Sequence, residues 1–376
     1  MQTKLPKVGT TIFTTMSQMA NEYQAINLSQ GFPNFPIDPL IEELLAKNSK
    51  ENVHQYTPMA GLPALLEGIA ALVSRVYQRN IHPATEILVT AGATQGIFAA
   101  LQALVHPGEE VVILDPAYDC YDPAVHLAGG KPVHISMRED FTIDWKEVRE
   151  TVNQKTRILI INNPHNPSGK MMEESDFNSL VQVMGDHPNL ILISDEVYEF
   201  ITFEKKHFSA HNHEILRNRS IIVSSFGKTF HLTGWKVGYL IAPEYILKEI
   251  KKVHQYLVFS VNSVAQKTLA DYISTTDVTT LGTFYQDKRD RFKELMAKSK
   301  FELLPSEGTY FQTARYKAIS QLSDVQFCEW MVKEVGVAAI PLSVFYEDST
   351  DYRTIRFCFA KTDETLVQAA ERLCRI

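Results

Sequence analysis

Two lysines lie eight residues apart within the stretch 224–238, Ser-Ser-Phe-Gly-Lys-Thr-Phe-His-Leu-Thr-Gly-Trp-Lys-Val-Gly. The first, Lys228, follows a predicted buried strand at 220–223. A lysine in such a position is poorly hydrated, so its pKa falls and the neutral, nucleophilic amine that a Schiff-base lysine requires becomes accessible. The second, Lys236, can stay charged and bind an anion such as phosphate. A lone lysine is more often an ordinary surface residue, so the rest of the chain decides the matter.

A turn of small residues at 91–96, Ala-Gly-Ala-Thr-Gln-Gly, lies between a predicted strand and a predicted helix. Small side chains let backbone N–H groups approach a phosphate at the positive end of a helix. Because glycine-rich turns are common, a plain turn is the more frequent explanation of the pattern alone. Tyr118 follows another predicted strand, where its ring can stack on a flat heteroaromatic group or simply pack in the core.

Asp195 follows the apolar residues of a predicted strand at 190–193, so its carboxylate is partly desolvated and needs a positive or hydrogen-bond-donating partner. A protonated pyridine nitrogen would serve. Tyr198, three residues later, is expected on the same side of the turn, where its hydroxyl can donate to a phenolate oxygen. Asn166 offers an amide in a proline-bracketed loop at 163–169, which a simple turn explains nearly as well.

Arg356 lies within a predicted strand at 354–359. An arginine there is costly unless it pairs, and its planar guanidinium suits a carboxylate in a bidentate arrangement. Taken alone, an internal salt bridge and a bound substrate carboxylate explain it equally well.

The order of these elements predicts the fold. Short apolar strands alternate with amphipathic helices, which is typical of a mostly parallel sheet covered by helices on both faces. Such sheets bind ligands at the carboxyl ends of their strands, and the polar groups just described follow predicted strands. We therefore predict an α/β fold with a mostly parallel, seven-stranded type of sheet in a large domain.

Past about residue 275 the pattern changes to a long charged helix at 283–298, followed by short strands and helices, which predicts a smaller α+β domain. The predicted strands are 301–304, 309–312, 337–340 and 354–359, and the predicted helices lie near 327–334 and 365–373. We assign residues 46–274 to the large, cofactor-binding domain. Residues 1–45 and 275–376 form the predicted small domain. The first 45 or so residues are expected to be irregular because they contain a Gly- and Pro-rich segment at 30–36.

Composition excludes several classes of protein. The 376 residues carry a formal net charge of −7, which argues against nucleic acid or an anionic membrane as the main partner. The four cysteines show no CxxC pair and no metal-ligand spacing, so we expect no metal site. No signal segment and no apolar run of ~20 residues is present. We predict a cytoplasmic protein.

Together, these motifs resemble those of the class I, fold-type I aminotransferases, which depend on pyridoxal phosphate. The resemblance covers the whole chain and is closest for the branch of methionine aminotransferases and kynurenine–oxoglutarate transaminases. Two blocks are specific to that group: Ser-Phe-Gly-Lys-Thr-Phe…Gly-Trp-Lys-Val-Gly and Ile-Arg-Phe-Cys-Phe-Ala-Lys. The other motifs are weak singly, but their order and spacing agree.

The resemblance implies a role for each residue. Lys228 would bond to the cofactor and then act as the base that moves the proton from the substrate Cα. Asp195 would keep the pyridine nitrogen protonated, while Tyr198 and Asn166 would hydrogen-bond the phenolic oxygen. The other implied contacts are Tyr118 on the ring face, Ala93, Thr94, Ser225 and Lys236 on the phosphate, and Gly31, Asn166 and Arg356 on the substrate carboxylate. Tyr56 would reach the phosphate in a neighbouring subunit, which requires a homodimer with shared active sites.

Aminotransferases specific for dicarboxylates take a second arginine from the partner subunit. The matching region here, residues 254–262, contains none. With Phe13 and Phe259 as pocket walls, an uncharged side chain is preferred. Methionine, phenylalanine, tyrosine, kynurenine and glutamine all remain open, because a methylene group changes discrimination by only ~1–3 kcal/mol.

Three other functions are compatible with parts of the sequence. Gly227-Lys228-Thr229 resembles the end of a phosphate-binding NTPase loop, but Ile222 stands where that loop needs a glycine, so we reject an NTPase. A regulatory cofactor-binding domain is disfavoured, since no helix-turn-helix region is appended and the charge is wrong for DNA. Carbon–sulfur β-elimination from cysteine conjugates remains the alternative reaction on the same scaffold.

Overall fold

The computed structural model describes residues 3–6 and 8–376. Its helices are α1 Ile12–Glu22, α2 Pro39–Asn48, α3 Pro63–Tyr77, α4 Pro83–Glu86, α5 Ala93–Leu104, α6 Tyr121–Leu127, α7 Trp145–Thr151, α8 Glu174–Asp186, α9 Glu214–Arg217, α10 Phe226–Thr229, α11 Glu244–Leu257, α12 Ser263–Ile273, α13 Leu281–Leu295, α14 Asp324–Trp330 and α15 Asp363–Leu373. Its strands are β1 Ile26–Asn27, β2 Ile87–Thr90, β3 Glu110–Asp115, β4 Lys131–Ser136, β5 Thr156–Asn162, β6 Ile191–Asp195, β7 Ser220–Ser225, β8 Gly238–Ile241, β9 Glu302–Leu303, β10 Phe311–Arg315, β11 Val337–Ala338, β12 Ile340–Pro341 and β13 Thr354–Cys358. Within this part of the chain, every helix is too short or too polar to cross a bilayer.

The large sheet has seven strands in the order β2-β8-β7-β6-β5-β3-β4. Only β8 runs antiparallel to its neighbours, and the other pairs are parallel. Side chains alternate between two apolar cores on its faces: Ile193 packs in one core and Leu192 in the other. Strands that are apolar on both faces must be covered on both faces. The predicted α/β fold with a mostly parallel seven-stranded sheet is confirmed.

A second sheet forms in the C-terminal region, with four antiparallel strands in the order β12-β13-β10-β9. The N-terminal segment joins this region through β1, which pairs in parallel with β11 so that Ile26 faces Val337. That pairing is consistent with a small domain built from both ends of the chain. The division at residues 45/46 and 274/275 stays a prediction, and the first boundary falls within α2.

The expectation of an irregular N-terminal segment was wrong. Residues 12–22 form α1, whose start is capped by the Thr11 hydroxyl accepting from the Thr14 backbone N–H. Met16 and Ala20, four residues apart, are its buried face. Helix α2 starts in a similar way, at an Asp38 cap. The capping residues and the spacing were present in the sequence, but the Gly- and Pro-rich segment that separates the helices obscured them.

Three elements of the C-terminal region have different bounds from those predicted. The strand expected at 337–340 is divided between β11 and β12, which belong to different sheets. The helix expected at 327–334 begins three residues earlier, at a Ser323 capping box, and ends in a π-helical turn at 331–335. Strand β10 starts at Phe311 rather than at 309, because Thr309 has a φ of 65°, which no regular strand accommodates.

One partly buried cluster connects the edge of the large sheet to the C-terminal region. His134 on β4 contacts both carboxylate oxygens of Asp115 through Nδ1, at 2.9 and 3.0 Å, and Asp122 through Nε2 at 3.1 Å. Asp115 also accepts from the Glu347 backbone N–H at 2.9 Å. Burial lowers the pKa of His134, but the hydrogen bonds and charges of the two aspartates outweigh burial and raise it to about 9. The imidazolium is therefore the form that links these elements at neutral pH.

We expect His134→Gln to lower the free energy of unfolding by about 1–3 kcal/mol at pH 6. A histidine whose pKa is raised on folding stabilises the protein fully below its unfolded pKa of about 6.5, and this contribution disappears as the pH rises through about 9. Urea denaturation at pH 6 and pH 10 measures the difference, with the exposed His106→Gln as the control. A destabilisation of equal size at both pH values would contradict this assignment.

Candidate active site

A cavity of about 300 Å³ lies at the carboxyl ends of β6 and β7, beside the start of α5 and strand β13. This is the edge of a parallel sheet where ligands are expected. Twelve predicted site residues line it: Phe13, Gly31, Ala93, Thr94, Tyr118, Asn166, Asp195, Tyr198, Ser225, Lys228, Lys236 and Arg356. Residues separated by more than 300 positions in sequence are thus brought into one site.

One end of the cavity suits a phosphate. Helix α5 begins at Ala93, after Gly92, whose φ of 80° favours glycine. A Cβ at Gly92 would lie 3.1 Å from Lys236 Nζ, so a larger residue would fill the space beside that ammonium group. The start of a 12-residue helix, a lysine and the hydroxyls of Thr94 and Ser225 together make a donor set that fits a phosphate dianion.

At the end of β6, Asp195 is only 4% exposed. The Tyr121 hydroxyl donates to its Oδ2 at 2.5 Å. Burial raises the pKa of Asp195 to about 6, while the hydrogen bonds from Tyr121 and the Val197 N–H and the charge of Lys228 act in the opposite direction. The group is therefore a carboxylate at neutral pH, and a buried carboxylate is stabilised by a cationic partner.

Lys228 lies on the short helix α10, which follows β7 directly. Its Nζ donates to the Tyr310 hydroxyl at 2.8 Å and to the Gly31 carbonyl at 3.2 Å. Burial lowers the pKa of Lys228 to about 8, and the positive charges of Arg356 and Lys236 act in the same direction. The neutral amine is consequently accessible near neutral pH, as nucleophilic and base chemistry require.

Arg356 on β13 is 1% exposed. It donates to Asn166 Oδ1 at 2.8 Å and to the Ser29 carbonyl at 3.1 Å. Its guanidinium carbon stacks 3.9 Å from the centroid of the Phe311 ring. Its Nε is buried and has no hydrogen-bond partner among the described residues. Because both acceptors are neutral oxygens, the positive charge remains available for an anion.

The side chains of Asn162 and His165 fix the loop that carries Asn166. Asn162 Oδ1 accepts from the Asn166 backbone N–H at 2.7 Å, and Asn162 Nδ2 donates to the Asp195 carbonyl at 2.9 Å. In the same loop, His165 contacts the Pro116 carbonyl at 3.0 Å. These bonds join the ends of three neighbouring strands. The position of the Asn166 amide is therefore set by the sheet rather than by a free loop.

Sequence reasoning missed several residues of this site. Tyr121, which holds Asp195, and Tyr310, which contacts Lys228, were not predicted. Tyr121 could have been found, since it lies three residues after Tyr118 at the start of a helix. Tyr310 carries no comparable signal in the sequence, because its position depends on how the C-terminal region packs on the large sheet.

Tyr56 and Phe259 lie outside the cavity. Their rings form a perpendicular pair with centroids 5.3 Å apart, and their side chains are 82% and 42% exposed. Neither ring lines the cavity of its own chain. This placement is compatible with the roles expected of them only if they act on a neighbouring subunit.

Comparison with known proteins identifies the family. A family model for "Aminotransferase class I and II" matches residues 23–373. The chain belongs to the class I and II aminotransferases. The resemblance inferred from the motifs is confirmed, and the enzyme is a pyridoxal-phosphate-dependent aminotransferase.

Several relatives match almost end to end. A methionine aminotransferase of Escherichia coli (strain K12) is 48% identical, over 99% of this chain and 97% of its own. A probable N-succinyldiaminopimelate aminotransferase of Mycobacterium tuberculosis is 34% identical, over 98% and 97%. A kynurenine–oxoglutarate transaminase of Dictyostelium discoideum is 31% identical, over 98% and 94%. A crystal structure of an Escherichia coli protein described as having a methionine aminotransferase function has a TM-score of 0.97 and covers 100% of this chain and 99% of that one.

Lys228 should show an abnormal acidity in the cofactor-free chain. Trace acetylation followed by peptide mass mapping is expected to give a labelling pKa of about 8 for Lys228. Lys146, whose side chain is 80% exposed, is the internal reference for the labelling. Equal titration of the two lysines would show that burial does not activate Lys228.

Proposed function

We propose that this aminotransferase takes the amino group from an uncharged amino acid and transfers it to a 2-oxo acid. The observation that carries the proposal is the charge of the cavity. Its basic lining residues are Lys228, Lys236 and Arg356, and the first two are assigned to the cofactor. One arginine is left for the α-carboxylate, while Phe13 and Phe311 offer neutral aromatic walls. Methionine, phenylalanine, tyrosine, kynurenine and glutamine are the candidate donors.

When bound, pyridoxal phosphate supplies an aldehyde that bonds to an amine and a protonated ring that withdraws electrons from the substrate Cα. Lys228 would provide that amine, and its neutral Nζ would act as the base that removes the Cα proton. Its lowered pKa keeps a useful fraction neutral at the pH of the reaction. Asp195 would hold a proton on the ring nitrogen by presenting a buried carboxylate, and the Tyr121 hydroxyl fixes the direction of that carboxylate.

The other residues orient the two ligands. The start of α5, with Ser225 and Lys236, holds the phosphate. Tyr118 is assigned to the ring face, and the hydroxyl of Tyr198 to the phenolic oxygen. Burial raises the pKa of Tyr198, so its hydroxyl stays protonated and can donate. Near it, Asn166 is hydrogen-bonded to Arg356, which couples the site of the ring oxygen to that of the substrate carboxylate.

We also propose a homodimer with shared active sites. The exposed aromatic pair Tyr56 and Phe259 lies near two further exposed apolar side chains, Tyr256 at 87% and Leu257 at 46%. An apolar patch of this kind on a soluble enzyme favours a protein partner. In this proposal Tyr56 reaches the cofactor phosphate of the neighbouring subunit and Phe259 walls its substrate pocket. A cytoplasmic location stays a prediction from the sequence.

A donor panel with one fixed 2-oxo acid tests the substrate class. We expect methionine or an aromatic amino acid to exceed aspartate in kcat/KM by about 100-fold or more, because a second carboxylate would enter the pocket unpaired. Preference for aspartate, glutamate or N-succinyldiaminopimelate would contradict the proposal. In the same assays, release of pyruvate and a thiol from a cysteine conjugate without amination of the acceptor would support the β-lyase alternative instead.

The assignment of Lys228 is tested by trapping. Borohydride reduction of the holoenzyme should attach the cofactor to the peptide that contains residue 228. Lys228→Ala should abolish both this tag and turnover, while Lys146→Ala, which alters an exposed lysine, should change neither. A tag on another lysine, or turnover by the Lys228→Ala enzyme, would refute the assignment.

Complementation tests the shared site. Lys228→Ala and Tyr56→Ala subunits are each defective, the first in turnover and the second in cofactor affinity. Random pairing should restore about a quarter of the sites, because each mixed dimer rebuilds one complete site from the two chains. Cofactor titration and activity of the refolded mixture measure this fraction. A mixture that behaves as the sum of its two components would argue against sharing.

A further inference from the structure

Tyr310 lies at the entry to β10 with its side chain 0% exposed. Its hydroxyl donates to the Gly31 carbonyl at 2.6 Å and accepts from Lys228 Nζ at 2.8 Å. The same carbonyl accepts from Lys228 Nζ at 3.2 Å. The three polar groups therefore form a closed triangle, and two of its sides end at the reacting amine.

The Tyr310 hydroxyl is held rigidly. Its ring packs edge-on against Tyr198, with centroids 5.3 Å apart, and lies 5.6 Å from Tyr285 and 4.9 Å from Phe311. Gly31 is constrained as well, because a Cβ there would lie 2.9 Å from Phe311 Cζ. A side chain at position 31 would therefore have to displace the Phe311 ring. The packing of these aromatic rings thus fixes the positions of both acceptors around the amine.

The amine lies in poorly hydrated surroundings, where these two acceptors stabilise its ammonium form. Lys228 Nζ lies 5.6 Å from the centroid of the Tyr198 ring and 5.5 Å from that of Tyr310. Burial disfavours an ammonium ion at this position, and the nearby Arg356 and Lys236 add to the penalty. A hydrogen-bond acceptor is worth most to a charged donor in a poorly hydrated place.

We propose that Tyr310 is a further catalytic residue that receives the Lys228 ammonium group. The inference rests on the proposed function of Lys228 as the base. In that step the substrate Cα–H bond breaks, its electron pair stays with the substrate carbon, and the proton becomes the third proton on Lys228 Nζ. Tyr310 and Gly31 then accept two of the three ammonium N–H bonds. They stabilise the protonated base and fix the direction in which its remaining proton points.

Tyr310→Phe keeps the ring and removes the hydroxyl, which is the acceptor for Lys228 Nζ, the donor to the Gly31 carbonyl and a hydrogen-bond partner of the Tyr198 hydroxyl. Tyr285→Phe is a matched control, since Tyr285 is also 0% exposed, is a neighbour of Tyr310, and has a hydroxyl without a hydrogen-bond partner among the described residues. Holoenzyme kinetics with L-methionine should show a kcat about 10- to 100-fold lower for Tyr310→Phe, with KM changed less than about threefold. The isotope effect with Cα-deuterated methionine should increase, because proton transfer becomes slower.

A second measurement separates this role from a structural one. In the cofactor-free full chain, the labelling pKa of Lys228 should fall by about one to two pH units in Tyr310→Phe, because the ammonium form loses an acceptor. It should not move in Tyr285→Phe.

The outcomes distinguish the two proposals. If borohydride does not tag residue 228 in the wild-type enzyme, the proposed function itself fails. If residue 228 is tagged in all three proteins but Tyr310→Phe keeps wild-type kcat, or loses activity with an unchanged labelling pKa and isotope effect, the role of Tyr310 is overturned. Equal losses in the two variants would overturn it as well.

Discussion

A buried carboxylate and a buried amine at the ends of adjacent strands are the constraint on which this structure depends. Asp195 ends β6 and Lys228 follows β7, and burial shifts the pKa of each toward neutrality, to about 6 and about 8. Each group alone would be costly in a poorly hydrated cavity. Together, with Arg356 and Lys236 nearby, they form a site whose charge is balanced when an anionic, aromatic ligand binds.

The parallel sheet brings the carboxylate and the amine together. The carboxyl ends of neighbouring strands meet at one edge, so groups far apart in sequence converge without long loops. Hydrogen bonds from Asn162 and His165 then join the strand ends to one another. The C-terminal sheet adds Arg356, and the N-terminal segment adds the Gly31 carbonyl. The cavity therefore forms only where three parts of the chain meet.

Most of the site could be predicted from the sequence, because its residues follow apolar strands that are easily recognised. Lys228, Asp195 and Asn166 are of this kind, and the cavity brings them together. Tyr310 could not be found in this way. It does not follow a strand of the large sheet, and its contact with Lys228 exists only after the C-terminal region has packed. Helix α1 was missed for a different reason, since its local capping signal was outweighed by the glycines and prolines that follow.

The protonation state of the cofactor ring is the most direct test of the role of Asp195 as the carboxylate that keeps the ring nitrogen protonated. Pyridoxal phosphate labelled with ¹⁵N at the ring nitrogen can be bound to the wild-type chain and to Asp195→Asn, and its nitrogen resonance followed from pH 6 to pH 9. A pyridinium shift is expected across this range in the wild-type enzyme and a neutral pyridine shift in the variant, whose kcat should be lower by about 100- to 1,000-fold. A neutral nitrogen in the wild-type enzyme, or a pyridinium in both proteins, would contradict this role of Asp195.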